Sequence, residues 1–243
     1  MKPYYDHAGI VIYHGDCRDI LPSLKADVVV TDPPYGIAHP CNFASRGRGK
    51  LCGSRSDGRP VWGSPGCRDY PNVHGDDGPF DPAPLLSLGK AHVFWGANYY
   101  ADKLPPSSGW LVWDKMRPDE LDQSTCELAW SDCIKGVRRF AFLWNGMMRS
   151  GNEDLVHPTQ KPVELMRWVL SFRWIPTGVV IDPYMGSAPV LLAAKQLSRK
   201  AIGIEIEERY CEIAAKRLQQ EVLPLTMPDP EPTQDEMFPE GTP

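Results

Sequence analysis

The chain has 243 residues, of which 42% are hydrophobic, and a formal net charge of −5. This size suits one well-buried domain that carries insertions. No apolar run approaches the roughly 18 residues that a membrane-spanning helix needs. The seven scattered cysteines favour free thiols over the disulfide framework of a small secreted protein. We therefore expect a cytoplasmic protein without a membrane contact.

The negative charge is concentrated at the end of the chain. Residues 221–243 contain six acidic and no basic residues, which leaves a net charge of +1 over residues 1–220. Six prolines are interspersed with these acids, and such a segment buries too little apolar surface to fold. We predict a disordered tail over residues 222–243. The net charge of the whole chain therefore does not exclude a nucleic-acid partner.

Short apolar runs alternate with amphipathic helical periods along the rest of the chain. After Pro162, for example, Leu165, Met166 and Val169 recur on one helical face. Ser187 is predicted to cap the next helix. The alternation predicts an α/β fold with a mostly parallel, doubly wound sheet, in one domain over residues 1–221. The predicted strands are 10–13, 28–30, 91–96, 110–113, 179–181 and 201–204, and the predicted helices are 17–24, 162–170, 187–197 and 208–220.

One predicted strand leads into a loop that suits a nucleoside ligand. The strand ends at Asp182, and Gly186 allows a tight reversal with close approach of the backbone to a ligand. Glu205 ends the next strand, 19 residues later, where a carboxylate can accept hydrogen bonds from both ribose hydroxyls. A dinucleotide fingerprint is absent, and an ordinary strand–turn–helix with a surface glutamate stays open.

A second strand leads directly into Asp32-Pro33-Pro34-Tyr35. The two prolines restrict the backbone and remove N–H donors, so this turn presents carbonyl oxygens. Asp32 adds a carboxylate acceptor, and Tyr35 adds a ring that can stack on a flat group. The motif therefore predicts a site for a planar group with an exocyclic amine. The structural alternative is a proline-rich turn that Asp32 caps.

These motifs resemble those of the amino-group DNA methyltransferases. Residues 32–35 resemble the catalytic motif of that family, and residues 182–187 resemble its S-adenosylmethionine loop. Residues 157–162, His-Pro-Thr-Gln-Lys-Pro, resemble the segment just before that loop, and 15–17 and 202–205 resemble its flanking cofactor motifs. Because the catalytic motif comes first, the order is similar to the permuted beta group. The resemblance implies a Rossmann-like methyltransferase fold with a circularly permuted motif order.

The resemblance also implies the activity and the residues that carry it. The expected reaction is direct methyl transfer from S-adenosylmethionine to the N6 of a flipped-out adenine in DNA. Glu205 would hold the ribose, Asp16 would lie near the cofactor adenine, and Lys161 would pair with the methionine carboxylate. The expected catalytic residues are Asp32, Pro33, Pro34 and Tyr35. The expected cofactor-binding residues are Asp16, Cys17, Asp32, His157, Thr159, Lys161, Asp182, Met185, Gly186, Ser187, Glu205 and Ile206.

One position departs from the family pattern. The family loop usually continues Gly-Ser-Gly-Thr, whereas this chain has Gly-Ser-Ala-Pro over 186–189. We expect the Cβ of Ala188 to narrow the pocket for the methionine part of the cofactor.

Two basic stretches are the candidates for phosphate contacts. A glycine-rich insertion over about 39–78 has six basic and two acidic residues between positions 41 and 75, and long insertions of this kind are usually functional or disordered. A small recognition region over about 132–156 is the second, and its length favours a short or relaxed recognition sequence. The expected DNA contacts are Arg46, Arg48, Lys50, Arg138, Arg139, Trp144 and Arg149.

Several alternatives stay open. The N4 amine of cytosine offers the same chemistry as the N6 of adenine, and an inactive DNA-binding or cofactor-sensing module is the non-enzyme alternative. Pro40-Cys41 suggests cytosine-C5 chemistry, but the Glu-Asn-Val partner motif is absent. Cys41, Cys52, Cys67 and His74 lack the paired spacing of a zinc site, so we predict no metal. The family occurs with and without a restriction endonuclease, and a homodimer also stays open.

Overall fold

The computed structural model describes residues 2–38, 73–117, 124–145, 148–150, 153–154, 156–157 and 159–220. Three groups of predictions lie outside these ranges. They are the DNA contacts Arg46, Arg48 and Lys50, the zinc candidates Cys41, Cys52 and Cys67, and the acidic tail over 222–243. Within the described ranges, no helix is long and apolar enough to cross a membrane.

A nine-stranded sheet organises the part of the chain that the structure describes. Its strands are β1 (Tyr5–His7), β2 (Ile10–His14), β3 (Val28–Thr31), β4 (Ala91–Trp95), β5 (Gly109–Asp114), β6 (Cys126–Ser131), β7 (Val137–Ala141), β10 (Val180–Asp182) and β11 (Ala201–Glu205). A separate hairpin joins β8 (Trp144–Asn145) to β9 (Met148–Arg149). The order is β1-β2-β11-β10-β3-β4-β6-β5-β7. β1 and β6 run antiparallel to their neighbours, and the other pairs are parallel. The predicted α/β class with a mostly parallel sheet is confirmed.

Helices and loops cover both faces of the sheet, which explains the near-continuous apolar runs of its central strands. The helices are α1 (Cys17–Ile20), α2 (Ala83–Leu86), α3 (Val163–Leu170), α4 (Pro189–Gln196) and α5 (Glu208–Gln219). On β3, Val28 and Val30 join the core under α3, α4 and α5, while Val29 joins the core on the opposite face. This alternation buries all three valines completely.

The structure corrects two sequence expectations about local structure. Ser187 does not cap α4, because the residue before the helix is Ala188, which has left-handed backbone angles (φ 64°, ψ 43°) and gives no side-chain cap. Pro189 then begins the helix, as expected. In addition, β1, β6, β7 and the hairpin of β8 and β9 were not predicted, although β6 supplies an inner strand of the sheet.

Candidate active site

The two predicted motifs meet because β3 and β10 are neighbours in the sheet and run parallel. The hydroxyl of Thr31, at the end of β3, donates a 2.7 Å hydrogen bond to Oδ1 of Asp182, at the end of β10. Asp182 is only 2% exposed. Burial raises the pKa of this carboxyl to about 7, against the lowering effect of the Thr31 and Tyr184 hydrogen bonds. The two loops therefore leave the same edge of the sheet side by side, as ligand sites in open α/β sheets do.

The loop after β10 is held by Glu205, which ends the adjacent strand β11. The backbone N–H of Gly186 donates a 2.9 Å hydrogen bond to Oε2 of Glu205, and the N–H of Glu207 donates a 2.8 Å bond to Oε1. Met185 is buried, and its N–H bonds the carbonyl of Ile204. Ser187 is also buried, and its Oγ has no hydrogen-bond partner among the described residues. We call residues 185–187 together with Glu205 the cradle. Hydrogen bonds hold its backbone in place, while the Ser187 hydroxyl has no partner among the described residues.

Asp16 and Cys17 follow β2, next to this loop. Asp16 caps α1 and accepts hydrogen bonds from the backbone N–H of Arg18, at 2.9 Å, and from its guanidinium. Hydrogen bonding to Arg18 lowers the pKa of Asp16. Cys17 is buried, and burial raises the pKa of its thiol. The carbonyl of Ile206 lies 3.1 Å from Nε2 of His14, which fixes the chain just after Glu205.

His157 and Thr159 lie beside the same loop. A Cβ added to Gly186 would lie 3.4 Å from Nε2 of His157, and the His157 ring packs 4.3 Å from the ring of Tyr210. Burial, with smaller effects of Arg209 and Lys161, lowers the pKa of His157 to about 3. The ring is therefore neutral near pH 7. Its Nδ1 lies 3.2 Å from the hydroxyl of Thr159.

Asp32 and Tyr35 form one unit at the end of β3. The Tyr35 hydroxyl donates a hydrogen bond to Oδ1 of Asp32. The Tyr35 ring stacks on Tyr99, with centroids 5.1 Å apart and an interplanar angle of 16°. Gly96, which follows β4 and precedes Tyr99 in the sequence, has φ 68°, and a Cβ at this position would collide with the Tyr35 ring. Between Asp32 and Tyr35 in the sequence, Pro33 is buried and Pro34 is half-buried.

Lys161 takes a place that the sequence did not predict. We expected its ammonium to pair with a cofactor carboxylate, but Nζ donates to Oδ2 of Asp32 and lies 3.0 Å from Oε2 of Glu127. Lys115 pairs with the other oxygen of Glu127. Burial alone would lower the pKa of Lys161, but Asp32 and Glu127 raise it above its usual range. Its side chain is 5% exposed, so its charge is balanced inside the protein.

The same cluster perturbs both carboxylates. Burial raises the pKa of Asp32, although the Lys161 ammonium opposes this shift. Burial acts in the same sense on Glu127, but there Lys161 and Lys115 together lower the pKa to about 2. A carboxyl group is purely an acceptor only when it is ionised, so before a base binds the Lys161 ammonium favours the acceptor form of Asp32.

The basic insertion is attached directly to the catalytic motif. Asp76 is buried at the end of that insertion, and its Oδ1 accepts hydrogen bonds from the N–H groups of Gly36, at 2.9 Å, and Ile37, at 3.3 Å. The N–H of Ala38 donates to the backbone carbonyl of Asp76 at 2.7 Å. The chain therefore leaves the sheet after Ala38 and returns to the same place at Asp76.

Of the predicted DNA contacts within the described ranges, Arg138 and Arg139 are exposed, whereas Trp144 is buried. Arg138 and Arg139 lie on the exposed edge strand β7. The Arg139 guanidinium is 68% exposed and pairs with Asp114. The Trp144 side chain, by contrast, is only 5% exposed, and its Nε1–H donates a 3.1 Å hydrogen bond to the carbonyl of Gln160. We expected it to face DNA, but its ring is packed into the core. The backbone of Arg149 pairs with Trp144 across the hairpin.

Sequence reasoning missed Tyr99, Glu127, Lys115 and Asp76. Tyr99 carried a usable signal, since an aromatic residue just beyond the carboxyl end of a parallel strand lies where ligands bind. Glu127 and Lys115 carried none, because their partners are distant in sequence and their own segments show no motif.

Comparisons with known proteins identify the family. Residues 92–216 match the N6/N4 methyltransferase family model, described as DNA methylase. The chain is 36% identical to the type II methyltransferase M2.DpnII of Streptococcus pneumoniae, over 90% of this chain and 93% of the relative. It is 27% identical to the type II methyltransferase M.ScaI of Streptomyces caespitosus, over 92% of this chain and 86% of the relative.

Solved structures show the same fold. The M1.HpyAVI–SAM complex superposes with a TM-score of 0.51 at 26% identity, over 86% of this chain and 99% of that chain. The cytosine-N4-specific PvuII DNA methyltransferase superposes with a TM-score of 0.56 at 16% identity, over 91% of this chain and 90% of that chain. The second likeness is one of fold alone.

Proposed function

The chain belongs to the N6/N4 DNA methylase family, and we propose that it methylates the N6 amino group of adenine in DNA. The observation that carries this proposal is the Asp32–Tyr35 unit beside the loop after β10. A half-buried carboxylate and an aromatic ring follow β3 there, at the same edge of the sheet as the glycine loop after β10 and Glu205 at the end of β11. This is the pairing of an amine acceptor with a nucleoside cradle.

S-adenosylmethionine is the cofactor of this family, and the cradle suits it. The buried hydroxyl of Ser187, without a partner among the described residues, and the backbone of Gly186 offer contacts to a ligand at the loop. Glu205 keeps lone pairs for the ribose hydroxyls, and Asp182 and Met185 hold the loop in place. When bound, the cofactor supplies an activated methyl group on a sulfonium.

Asp32 supplies the acceptor that makes the amine reactive. The lone pair of an exocyclic amine is delocalised into the ring, so its nitrogen is a poor nucleophile. Hydrogen bonds from the amine to Asp32 and to a backbone carbonyl in the Pro33–Pro34 turn favour a pyramidal nitrogen whose lone pair is free. Because these acceptors are fixed beforehand, they also stabilise the positive charge that develops on the amine.

Tyr35 supplies the stacking surface for the base. A base inside a duplex cannot reach this site, so the target must leave the helix. Tyr99 already stacks on Tyr35, which shows that the ring holds a parallel aromatic neighbour. We propose that the flipped base uses the same kind of contact.

DNA contacts outside the pocket fall to the basic side chains. Among the described residues, Arg138 and Arg139 are exposed on β7, which is parallel to β5 and ends at the same edge of the sheet as β3. Arg46, Arg48 and Lys50 join them as predictions from the sequence. A homodimer and a restriction endonuclease partner stay predictions.

The N4 of cytosine is the second candidate. It presents the same pair of N–H donors to Asp32, and relatives of this fold include a cytosine-N4-specific enzyme. Adenine is preferred because the resemblance associates aspartate at position 32 with adenine, and serine more often with cytosine.

Nucleoside mass spectrometry of plasmid DNA from an expressing strain tests the proposal. We expect N6-methyladenine with the wild type, and none with Asp32→Ala. Asp6→Ala, which removes an exposed carboxylate on β1, should give the wild-type level. N4-methylcytosine would establish the second candidate, and full methylation by Asp32→Ala would refute the role of that carboxylate.

A further inference from the structure

Both oxygens of the Asp32 carboxylate have a hydrogen-bond donor before any base arrives. Oδ1 of Asp32 accepts the hydroxyl of Tyr35, and Oδ2 accepts the ammonium of Lys161. Each carboxylate oxygen has a second lone pair, so an incoming amine binds beside these donors or displaces one of them. Lys161 is the donor whose presence opposes the reaction, because an ammonium beside the amine repels the positive charge that develops there.

Displacing Lys161 is costly unless a second acceptor receives it. Its side chain is 5% exposed, and an unpaired charge at such depth is strongly unfavourable. Glu127 stands at the required place, at the start of β6, with Oε2 3.0 Å from the Lys161 ammonium.

Glu127 already shares the ammonium of Lys161 with Asp32. Its Oε1 is taken by Lys115. Oε2 is buried and lies 3.0 Å from Nζ of Lys161, an ion pair whose angles, among the described residues, are not those of a hydrogen bond. Buried polar atoms are normally satisfied, so each exception asks for an explanation. Here the ion pair between Oε2 and the ammonium can become a full hydrogen bond when Lys161 leaves Asp32.

We propose that Glu127 is a positioning residue that takes over the ammonium of Lys161 when the target amine binds Asp32. This inference rests on the proposed function. The transfer moves one donor from Oδ2 of Asp32 to Oε2 of Glu127. It leaves Asp32 as an acceptor without a cation and leaves Lys161 paired. Lys115 keeps the second oxygen of Glu127 neutralised throughout.

The first test compares Glu127→Gln with wild type in single-turnover methyl transfer to a duplex that contains adenine. A neutral amide receives an ammonium less well, so Lys161 stays on Asp32 and competes with the amine. We expect the rate to fall about 100-fold, the size of effect that misplacing a reacting group produces. Kd for DNA should change less than about threefold, since phosphate contacts dominate that affinity.

The matched control is Glu212→Gln. Glu212 is an exposed carboxylate on α5 that pairs with Lys216, and its loss should leave both quantities unchanged. If wild type transfers no methyl group to DNA, the proposed function fails. If wild type is active and Glu127→Gln matches it, the inference alone fails.

A double-mutant cycle separates the hand-over from a structural role. In a Lys161→Met background there is no ammonium to receive, so Glu127→Gln should cost less than about twofold. Rate losses that multiply in the double variant would show that Glu127 acts independently of Lys161, and would overturn the proposal.

A readout without turnover covers the case in which these variants fail to fold or lose all activity. The wild-type chain is labelled with ¹⁵N at lysine Nζ and bound to duplexes with adenine or with purine, which lacks the amine. The Lys161 signal should shift with adenine and stay in place with purine. Equal shifts, or none with adenine, would refute the hand-over.

Discussion

Gly96 is the position at which one methyl group should separate activity from folding. A Cβ built there would lie within 2.5 Å of three carbons of the Tyr35 ring, whereas carbon atoms pack best at about 3.5–4.0 Å. In Gly96→Ala the ring must therefore move by about 1 Å or more. That movement pulls the hydroxyl away from Asp32 and disturbs the stacking contact with Tyr99.

Two effects lower the folding stability of Gly96→Ala, and the displaced ring also lowers its reaction rate. Left-handed backbone angles cost an alanine about 1–2 kcal/mol, and forcing the ring aside adds about 1–3 kcal/mol of overpacking. Misplacing the stacking and hydrogen-bonding unit by about 1 Å should lower the single-turnover rate about 100-fold.

Gly136→Ala is the matched control. Gly136 has φ 70°, nearly the same as the 68° of Gly96, but a Cβ there meets nothing within 4 Å. It precedes β7 and so lies at the amino end of that strand, whereas Asp32 lies at the carboxyl end of the parallel strand β3. Gly136→Ala should lower Tm by about 2–4 °C for each kcal/mol of strain and keep the rate, measured with saturating DNA. Equal rates and equal Tm values for the two variants would refute the assigned packing of Tyr35.

Two further predictions concern charge. Asp182 has a folded-state pKa of about 7, above its unfolded value of about 3.9, so the stability that its protonated form contributes is complete below about pH 4 and is lost as the pH rises through 7. The stability of Asp182→Asn relative to wild type should therefore increase between pH 4 and pH 8, by about 1.4 kcal/mol in the free energy of unfolding per unit of pKa shift. Urea unfolding that shows a pH-independent stability difference between the two proteins would contradict this. Arg139→Gln should reduce the slope of log K for DNA against log salt by about 0.9, the effect of one phosphate contact. Lys90→Gln, at the opposite edge of the sheet before β4, should leave the slope unchanged, and identical slopes for both variants would remove Arg139 from the DNA surface.

The sequence predicted the parts of the fold in which local pattern and tertiary role agree. The buried strands around Val29 and Ile181 are continuous apolar runs, and such runs belong to a sheet that is covered on both faces. β7 was missed because it carries Arg138 and Arg139 on an exposed edge, where no apolar period develops. Ser187 looked like a helix cap, but Ala188 occupies the left-handed position before α4, where the family motif that residues 186–189 resemble has glycine.

The candidate site was predictable as motifs and not as a network. Asp32 follows β3 and Glu205 ends β11, so their placement follows from the topology of the sheet. The partners of Lys161 do not, because Asp32 lies 129 residues away in the chain and Glu127 belongs to a segment without a motif. Long-range ion pairs depend on which strands become neighbours, and that order is decided by packing across the whole sheet.

The anchoring of Asp76 makes the basic insertion an exchangeable unit. Its two ends meet at Ala38 and Asp76. The N–H of Ala38 donates to the Asp76 backbone carbonyl, and the N–H of Gly36 donates to the Asp76 carboxylate, just after the strand end that carries Tyr35. A segment with adjoining ends can change in length at little cost, since loop-closure entropy grows only with the logarithm of length. Different insertions could therefore be joined to one unchanged catalytic motif. Recognition of DNA could diversify at this junction while the chemistry at Asp32 stayed the same.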